Sequence, residues 1–366
     1  MEAPKILYSK TVCEIKRSES NPRNSEGDFA RLKNGDILFA YSRYHGDSFS
    51  DDAACDIAGM ISHNDGESFE PLPYMLARAE EHGVQNIMSV TLRRLSNGEL
   101  CLFYLCKKGP QSAMFLRRAT EDETVFGEAE ICIPFTDNTY FVVNNCRISV
   151  LPDGRVLIPA AKHEIIKRSS GEYSPTMFAD ALFFIGDSEA RNFHPAFDEV
   201  KLANPSFSGT GLQEPGAQIL PDGRIYAYFR TDLGCQFGCF IDAGCTSAGV
   251  PVQLKFTSPA SPMLVSLDPY GKKYYAVYNP VPNYNGRYPE NSPWITAGRT
   301  PLVISQSENG IDYSSVTVLE DDPDKGFCYP AVYFLGEKEF LISYCFGGKE
   351  EGNCLTCTRI RKVRLK

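Results

Sequence analysis

One hairpin pattern, repeated along a chain of 366 residues, constrains the fold more than any other feature. It is written as Arg31-Leu-Lys-Asn-Gly-Asp-Ile-Leu-Phe-Ala-Tyr and again as Arg94-Leu-Ser-Asn-Gly-Glu-Leu-Cys-Leu-Phe-Tyr. Val150-Leu-Pro-Asp-Gly-Arg-Val-Leu-Ile-Pro and Ile219-Leu-Pro-Asp-Gly-Arg-Ile-Tyr-Ala-Tyr follow. Two looser copies, Ser266-Leu-Asp-Pro-Tyr-Gly-Lys-Lys-Tyr-Tyr-Ala-Val and Tyr333-Phe-Leu-Gly-Glu-Lys-Glu-Phe-Leu-Ile-Ser, complete the set. Asn-Gly or Asp-Gly between apolar β-formers is a strong hairpin signal, because a tight turn needs positive φ. The turn glycines Gly35, Gly98, Gly154, Gly223, Gly271 and Gly336 fall roughly 60 residues apart. A period of that length, holding several strands, predicts propeller blades.

Helical periodicity is nearly absent, and 24 prolines and 29 glycines sit mostly between strand-like runs. The runs Ile6 to Ile15 and Leu355 to Leu365 both read as strands. The expected architecture is one all-β domain over residues 1–366, a six-bladed β-propeller of four-stranded antiparallel blades. The N- and C-terminal strands share one blade and close the ring, which removes exposed sheet edges. Two stacked sandwiches are the rival all-β reading, and six copies of one hairpin argue against them.

Composition narrows the function. The chain is 43% apolar, enough for a large core, and carries a net charge of −9, which disfavours non-specific nucleic-acid binding. The basic run Arg359 to Lys366 alternates with Ile, Val and Leu, as one face of a last strand does. No stretch reaches the roughly 20 apolar residues of a membrane span. No signal peptide is visible at the start, and thirteen cysteines without repeating spacing read as free buried thiols; both point to a cytoplasmic protein. A secreted or periplasmic protein trimmed of its leader has the same sequence. Cys235, Cys239 and Cys245 cluster, and Cys354 and Cys357 form one C-x-x-C, but neither group has the partners of a four-ligand zinc site. No metal or cofactor is expected.

The hairpin geometry selects a site. If the turns lie at one face, the starts of the first strands and the ends of the second lie together at the other, around the axis. Stepping back seven to nine residues from the turn glycines gives Glu26, Ser89 with Gln85 and Asn86, Asn145 with Asn144 and Arg147, Glu214 with Gln213, Pro262 and Tyr329. Stepping forward gives Arg43, Lys107, His163, Arg230, Asn279 and Cys345. Charges at an axis must be solvated, paired or used. An ion-pair network that only holds blades together remains open beside a functional mouth.

These residues resemble the sialidase superfamily of bacterial type, six-bladed propellers with Asp-box turns of the form Ser-x-Asp-x-Gly-x-Thr-Trp. Ser62-His-Asn-Asp-Gly-Glu-Ser-Phe69 is a copy with Asn64 in the aspartate position, and Gln306-Ser-Glu-Asn-Gly-Ile-Asp-Tyr313 is a degraded one. Glu214 and Arg230 within one hairpin, Arg299 before the late box, Tyr329 thirty residues on, Arg43, and Asp51 in the following loop match the family's order along the chain. The Phe/Tyr-Arg-Ile-Pro motif of the first inner strand is missing. Ser25 or Glu26 stands where its arginine belongs, with Arg23 nearby, which puts sialic acid itself in question.

The resemblance implies a retaining exo-glycoside hydrolase for a terminal acidic sugar, without metal or cofactor. Tyr329 is then the nucleophile, Glu214 takes its proton, and Asp51 is the acid/base, with Asp52 and Asp47 as its alternatives. Arg43, Arg230 and Arg299 hold a carboxylate by forked hydrogen bonds, while Glu26, Asn144, Asn145, Arg147, His163 and Gln213 contact the rest of the substrate. Two other readings stay open: a glycan-binding propeller without catalysis, and a glycosidase using two carboxylates, Glu26 or Asp51 with Glu214. The partner expected is a glycan, with no nucleic acid and no membrane; the oligomeric state is open.

Overall fold

The computed structural model describes residues 2–281 and 293–366, and it is all-β. Among these residues helix is limited to Pro293–Thr296 and the 3-10 turns Ala79–His82 and Pro205–Phe207. The strands form six antiparallel units in chain order. The first is Asn24–Arg31, Ile37–Tyr44, Cys55–Ser62 and Glu70–Ala77, and the second is Asn86–Arg94, Leu100–Lys108, Gln111–Ala119 and Phe126–Ile133. A single parallel pair, Cys55 with Asn86, fuses these two into one sheet. The third is Thr139–Val142 and Ser149–Val150 against Val156–Lys167, then Tyr173–Gly186 and His194–Pro195. The fourth is Gln213–Ile219 to Val252–Thr257 and the fifth Leu264–Leu267 to Thr317–Glu320. The last unit is Lys325–Gly336, Glu339–Gly348 and Cys357–Leu365, with the N-terminal strand Ile6–Ile15 as its fourth member.

The four Asn/Asp-Gly turns are built alike, and the chemistry explains the motif. Gly35, Gly98, Gly154 and Gly223 have φ between 84° and 93° and donate to the carbonyls of Leu32, Leu95, Leu151 and Leu220. The Asn or Asp before each glycine accepts from the amide two residues on, as Asn34 does from Asp36 and Asp153 from Arg155. In the two looser copies the positive φ falls on Lys272 (55°) and Lys338 (60°), not on Gly271 and Gly336, so the turns sit one and two residues later than the glycine spacing predicts.

The core is divided among the unit interfaces. One cluster joins Leu38 and Ile57 to Leu92 and Leu102, the next joins Phe103 and Ile133 to Ile158 and Phe184, and the next joins Phe183 to Ile225 and Phe229. Tyr228 packs with Val265 and Ala276, and Tyr275 with Phe334 and Phe340. A sixth cluster joins Phe29 and Phe39 of the first unit to Leu341 and Ile360 of the last. Each face of each unit is thus covered by its neighbour in sequence, and the last covers the first.

Candidate active site

All six units contribute to one cavity of about 760 Å³, at the end of the inner hairpins away from the tight turns. A repeated irregularity delivers the side chains. In four units the first strand slips register over a bulge, between Ser25 and Asp28, Met88 and Thr91, Gln213 and Gly216, and Cys328 and Ala331. One non-glycine residue in each bulge has left-handed φ: Glu26 (55°), Ser89 (59°), Glu214 (46°) and Tyr329 (53°). All four line the cavity. A bulge re-aims a side chain out of the strand's alternation, and a non-glycine residue held there costs on the order of 1–3 kcal/mol. The same strained conformation recurs at four equivalent positions, and all four open on one space.

One wall carries an acid, a phenol and two arginines. The Tyr329 hydroxyl donates to Glu214 Oε1 at 2.8 Å, and Arg230 Nη1 donates to the same oxygen at 2.7 Å. The Arg299 guanidinium lies over the Tyr329 ring, 5.5 Å from its centre. Burial works against ionisation of Glu214, but Arg230 and Arg299 outweigh it and hold the carboxyl below its ordinary range. Burial, then the charge on Glu214, pushes the Tyr329 hydroxyl well above the ordinary phenol range, so Tyr329 rests as a neutral donor. Glu214 Oε2, Arg230 Nε and Arg299 Nε are buried without hydrogen-bond partners among the described residues. Buried polar atoms are rarely left so, and the residues that carry these line the cavity.

The facing wall centres on Arg23, which pairs with Asp51 at 2.5 Å and with Glu26 at 3.6 Å and stacks 4.5 Å from the Tyr44 ring. Lys107 Nζ donates to the Asp51 carbonyl at 2.7 Å. Arg23 draws the Asp51 carboxyl down to about 2. The Asp51 side chain stands in the open mouth, 66% exposed, whereas Glu26 is 4% exposed and accepts from Ser89 Oγ at 3.3 Å. Burial raises Glu26 to about 7 although Arg23 pulls the other way, with Asp51 and Glu214 adding to the rise.

The rim is the hairpin between Val156–Lys167 and Tyr173–Gly186, whose residues Tyr173 to Met177 line the cavity. His163 and Gln213 anchor it: His163 Nδ1 lies 2.9 Å from the Thr176 carbonyl, and Gln213 donates to the Met177 carbonyl at 2.7 Å. Burial lowers the His163 pKa.

Of the twelve residues given a principal catalytic or substrate-binding role from the sequence, nine therefore line the mouth: Glu26, Asp51, Asn144, His163, Gln213, Glu214, Arg230, Arg299 and Tyr329. Three do not. Asn145 lies beneath it, donating to the Gly27 carbonyl at 2.9 Å and the Tyr329 carbonyl at 3.4 Å. Arg43 lies outside the lining because its neighbour Tyr44 is the residue turned inward against Arg23 and Met88, and successive side chains on a strand point to opposite faces. Arg147 follows Cys146, itself at left-handed φ (58°), and opens on a second cavity at the other end of the inner strands. Arg23, buried behind the lining, pairs with the mouth residues Asp51 and Glu26, where Arg43 was expected to act. Its signal was the aligned position of Ser25, two residues on. The rim hairpin left only a slight signal in the sequence, since the gap between Gly154 and Gly223 is the longest between successive turn glycines.

The model of a family described as a BNR repeat-like domain matches residues 50–342. No curated protein sequence matches the chain. Among solved structures, a Dyadobacter fermentans protein of unknown function is similar at TM-score 0.72 and 16% identity, covering 99% of this chain and 100% of its own. The NanB sialidase from Streptococcus pneumoniae (K499G mutant) is similar at TM-score 0.67 and 10% identity, over 99% of this chain and 71% of its own. An α-L-arabinanase of Penicillium chrysogenum, complexed with arabinobiose, is similar at 0.62 and 13%, over 99% of both. At these identities the likeness is one of fold.

Proposed function

This chain belongs to the BNR repeat-like family, and we propose on that premise that it is a six-bladed β-propeller and a retaining exo-glycoside hydrolase for a terminal acidic sugar, sialic acid or a relative. The observation that carries the reading is the shared oxygen of Glu214, which accepts from the Tyr329 hydroxyl and from Arg230 while Arg299 covers the phenol ring. A structural ion pair needs no tyrosine aimed at its acid, and a binding module needs no base beside a phenol.

The electrostatics suggest how substrate switches the site on. At rest Glu214 is too weak a base to hold the Tyr329 proton, because two arginines stabilise its charge. A sugar carboxylate docked on the guanidinium groups of Arg230 and Arg299 partly neutralises them, which raises the proton affinity of Glu214. The phenol then gives its proton to Glu214 as its oxygen bonds the anomeric carbon. The bond to the leaving oxygen breaks, and that oxygen takes a proton from an acid on the facing wall. In the second half, water loses a proton to the same group, attacks the anomeric carbon and releases Tyr329, which recovers its proton from Glu214. A near-neutral phenol approaches an anionic sugar with less repulsion than a carboxylate would, and tyrosine enzymes are the recognised exception to two-carboxylate hydrolysis.

Two groups compete for the acid role. The order along the chain favours Asp51. One observation favours Glu26: it keeps its proton to about pH 7, whereas Arg23 keeps Asp51 ionised down to about 2. A true acid matters most for poor leaving groups. Its amide variant, Asp51→Asn or Glu26→Gln, is expected to lose far more rate on a sugar leaving group than on an activated aryl one.

The test is a panel of aryl glycosides that includes sialosides and uronides. Release of the aryl group from an acidic member is expected. Glycan binding without hydrolysis of any member would make the protein a binding module, and hydrolysis of neutral members alone would transfer the reading to a two-carboxylate glycosidase.

A further inference from the structure

The inner strands end on two cavities, and the second holds a cation with no acid to balance it. This space, about 220 Å³, is lined from five of the six units, by Arg93, Arg147, Ser149, Gln218, Tyr228 and Ser266 among others. The strands that bring Glu214 and Tyr329 to the mouth bring Gln218 and Phe334 here. Arg147 is 3% exposed. Its Nη1 donates to the Tyr228 hydroxyl at 3.1 Å, its guanidinium lies 5.5 Å from the Tyr228 ring, and its Nε is buried without a partner. The acid serving this end of the molecule, Asp28, is already spent on Arg93 at 2.8 Å and on the Leu92 amide at 3.0 Å. Among the described residues Arg147 forms no ion pair.

Tyr228 supplies the second half of the site. Its oxygen accepts from Arg147 and from the Val265 amide at 3.0 Å, which occupies both lone pairs and leaves its own proton free to donate. Burial raises its pKa, so that proton stays on the oxygen. A buried guanidinium is tolerated when a counter-charge or hydrogen-bond acceptors meet it. Here Arg147 and Tyr228, each with a donor that meets no acceptor among the described residues, line one cavity that has no acidic side chain among its lining residues.

We propose that this second cavity is a binding site for a small oxyanion, a phosphate or a carboxylate, held by the Arg147 guanidinium and the Tyr228 hydroxyl. The ion takes the place of the missing acid at the junction of five units. It therefore ties stability to anion concentration at a point remote from the catalytic mouth.

The experiment is calorimetric titration and thermal melting of the full chain, with inorganic phosphate and, separately, with acetate, in wild type, Arg147→Gln and Arg230→Gln. At least tenfold weaker binding in Arg147→Gln, with binding kept in Arg230→Gln, is expected for one of the two anions, and which one identifies the source. Wild type then melts higher with that anion, and Arg147→Gln does not. Binding that survives in Arg147→Gln, or that neither anion gives, overturns the proposal. If Arg147→Gln fails to fold, crystals of wild type soaked in selenate decide the matter. Anomalous density within hydrogen-bond reach of Arg147 and Tyr228 upholds the site, and density only at Arg230 and Arg299, or none, overturns it.

Discussion

The turn at Ser62 to Ser68 and the cavity mouth are both made of polar side chains around left-handed backbone, but they treat their hydrogen bonds in opposite ways. In the turn, Asp65 and Gly66 have φ of 54° and 76°. Ser62 Oγ donates to Asn64 Oδ1 and accepts from the Gly66 amide, while Asn64 also takes the Ser68 amide and gives its Nδ2 to Ser68 Oγ. Ser307, Asn309, Gly310 and Asp312 repeat the pattern. The network closes on itself. In the mouth, left-handed Glu26, Ser89, Glu214 and Tyr329 hold an array that stays open at Glu214 Oε2, Arg230 Nε and Arg299 Nε. A closed network stores stability, and an open one keeps valences for a ligand. The two regions therefore separate folding from turnover, and mutations break or sharpen that separation.

The largest effect belongs to Tyr329→Phe. The ring and its packing under Arg299 remain while the attacking oxygen is lost, so turnover falls by about 10³-fold or more. Stability changes by about 1 kcal/mol, the net worth of one hydrogen bond. Activity, ligand affinity and melting temperature measured together check this; full activity with Tyr329→Phe would erase the contrast between mouth and turn.

Next comes the cost of the open array. Glu26 titrates at about 7 in the folded protein against an ordinary 4.5. The folded chain thus holds a proton between those values that the unfolded chain has released. Stability contributed by that proton is present in full at acid pH and falls as pH rises through the window, by about 3 kcal/mol in total. In Glu26→Gln the slope of unfolding free energy against pH between 4.5 and 7 should flatten. An unchanged slope would mean that Glu26 is not the buried acid described above.

Smaller effects are expected at the turn. A Cβ on Gly66 would come 2.8 Å from Leu341, a core residue of the last unit, at a φ that disfavours side chains. Gly66→Ala is expected to cost about 2 kcal/mol and Asn64→Ala about 1 kcal/mol, with turnover per folded molecule unchanged in both. Denaturant melts beside specific activity check this. A loss of turnover at constant stability would contradict the division.

What the sequence disclosed follows from the same contrast. The Asn/Asp-Gly turns are local chemistry, written in two residues, so the repeat and its six hairpins were legible. Counting from those turns found Glu26, Ser89, His163, Glu214, Arg230 and Tyr329, because a strand's length fixes where it ends, whereas Asp51 and Arg299 came from the family resemblance. The errors fall where a non-local contact decides direction. Arg43 and Tyr44 are adjacent, and only the packing of Tyr44 on Arg23 and Met88 says which one faces inward. Arg147 is two residues from Asn145, but the left-handed turn at Cys146 between them sends it to the other cavity. The left-handed positions of the bulges carry no glycine to announce them. Two glutamates, Glu26 and Glu214, a serine, Ser89, and a tyrosine, Tyr329, share one backbone conformation, so no single side-chain type marks it.

The central claim is that Tyr329, deprotonated by Glu214, forms the covalent intermediate. Incubating the protein with a fluorinated, activated derivative of whichever acidic glycoside it hydrolyses should slow release of the intermediate, so that mass spectrometry of the intact chain and its peptides reads the adduct directly. The account predicts one added glycosyl mass on the peptide containing Tyr329 and none on the same peptide of Tyr329→Phe. A glycosyl ester on Glu26, Asp51 or Glu214 would contradict it.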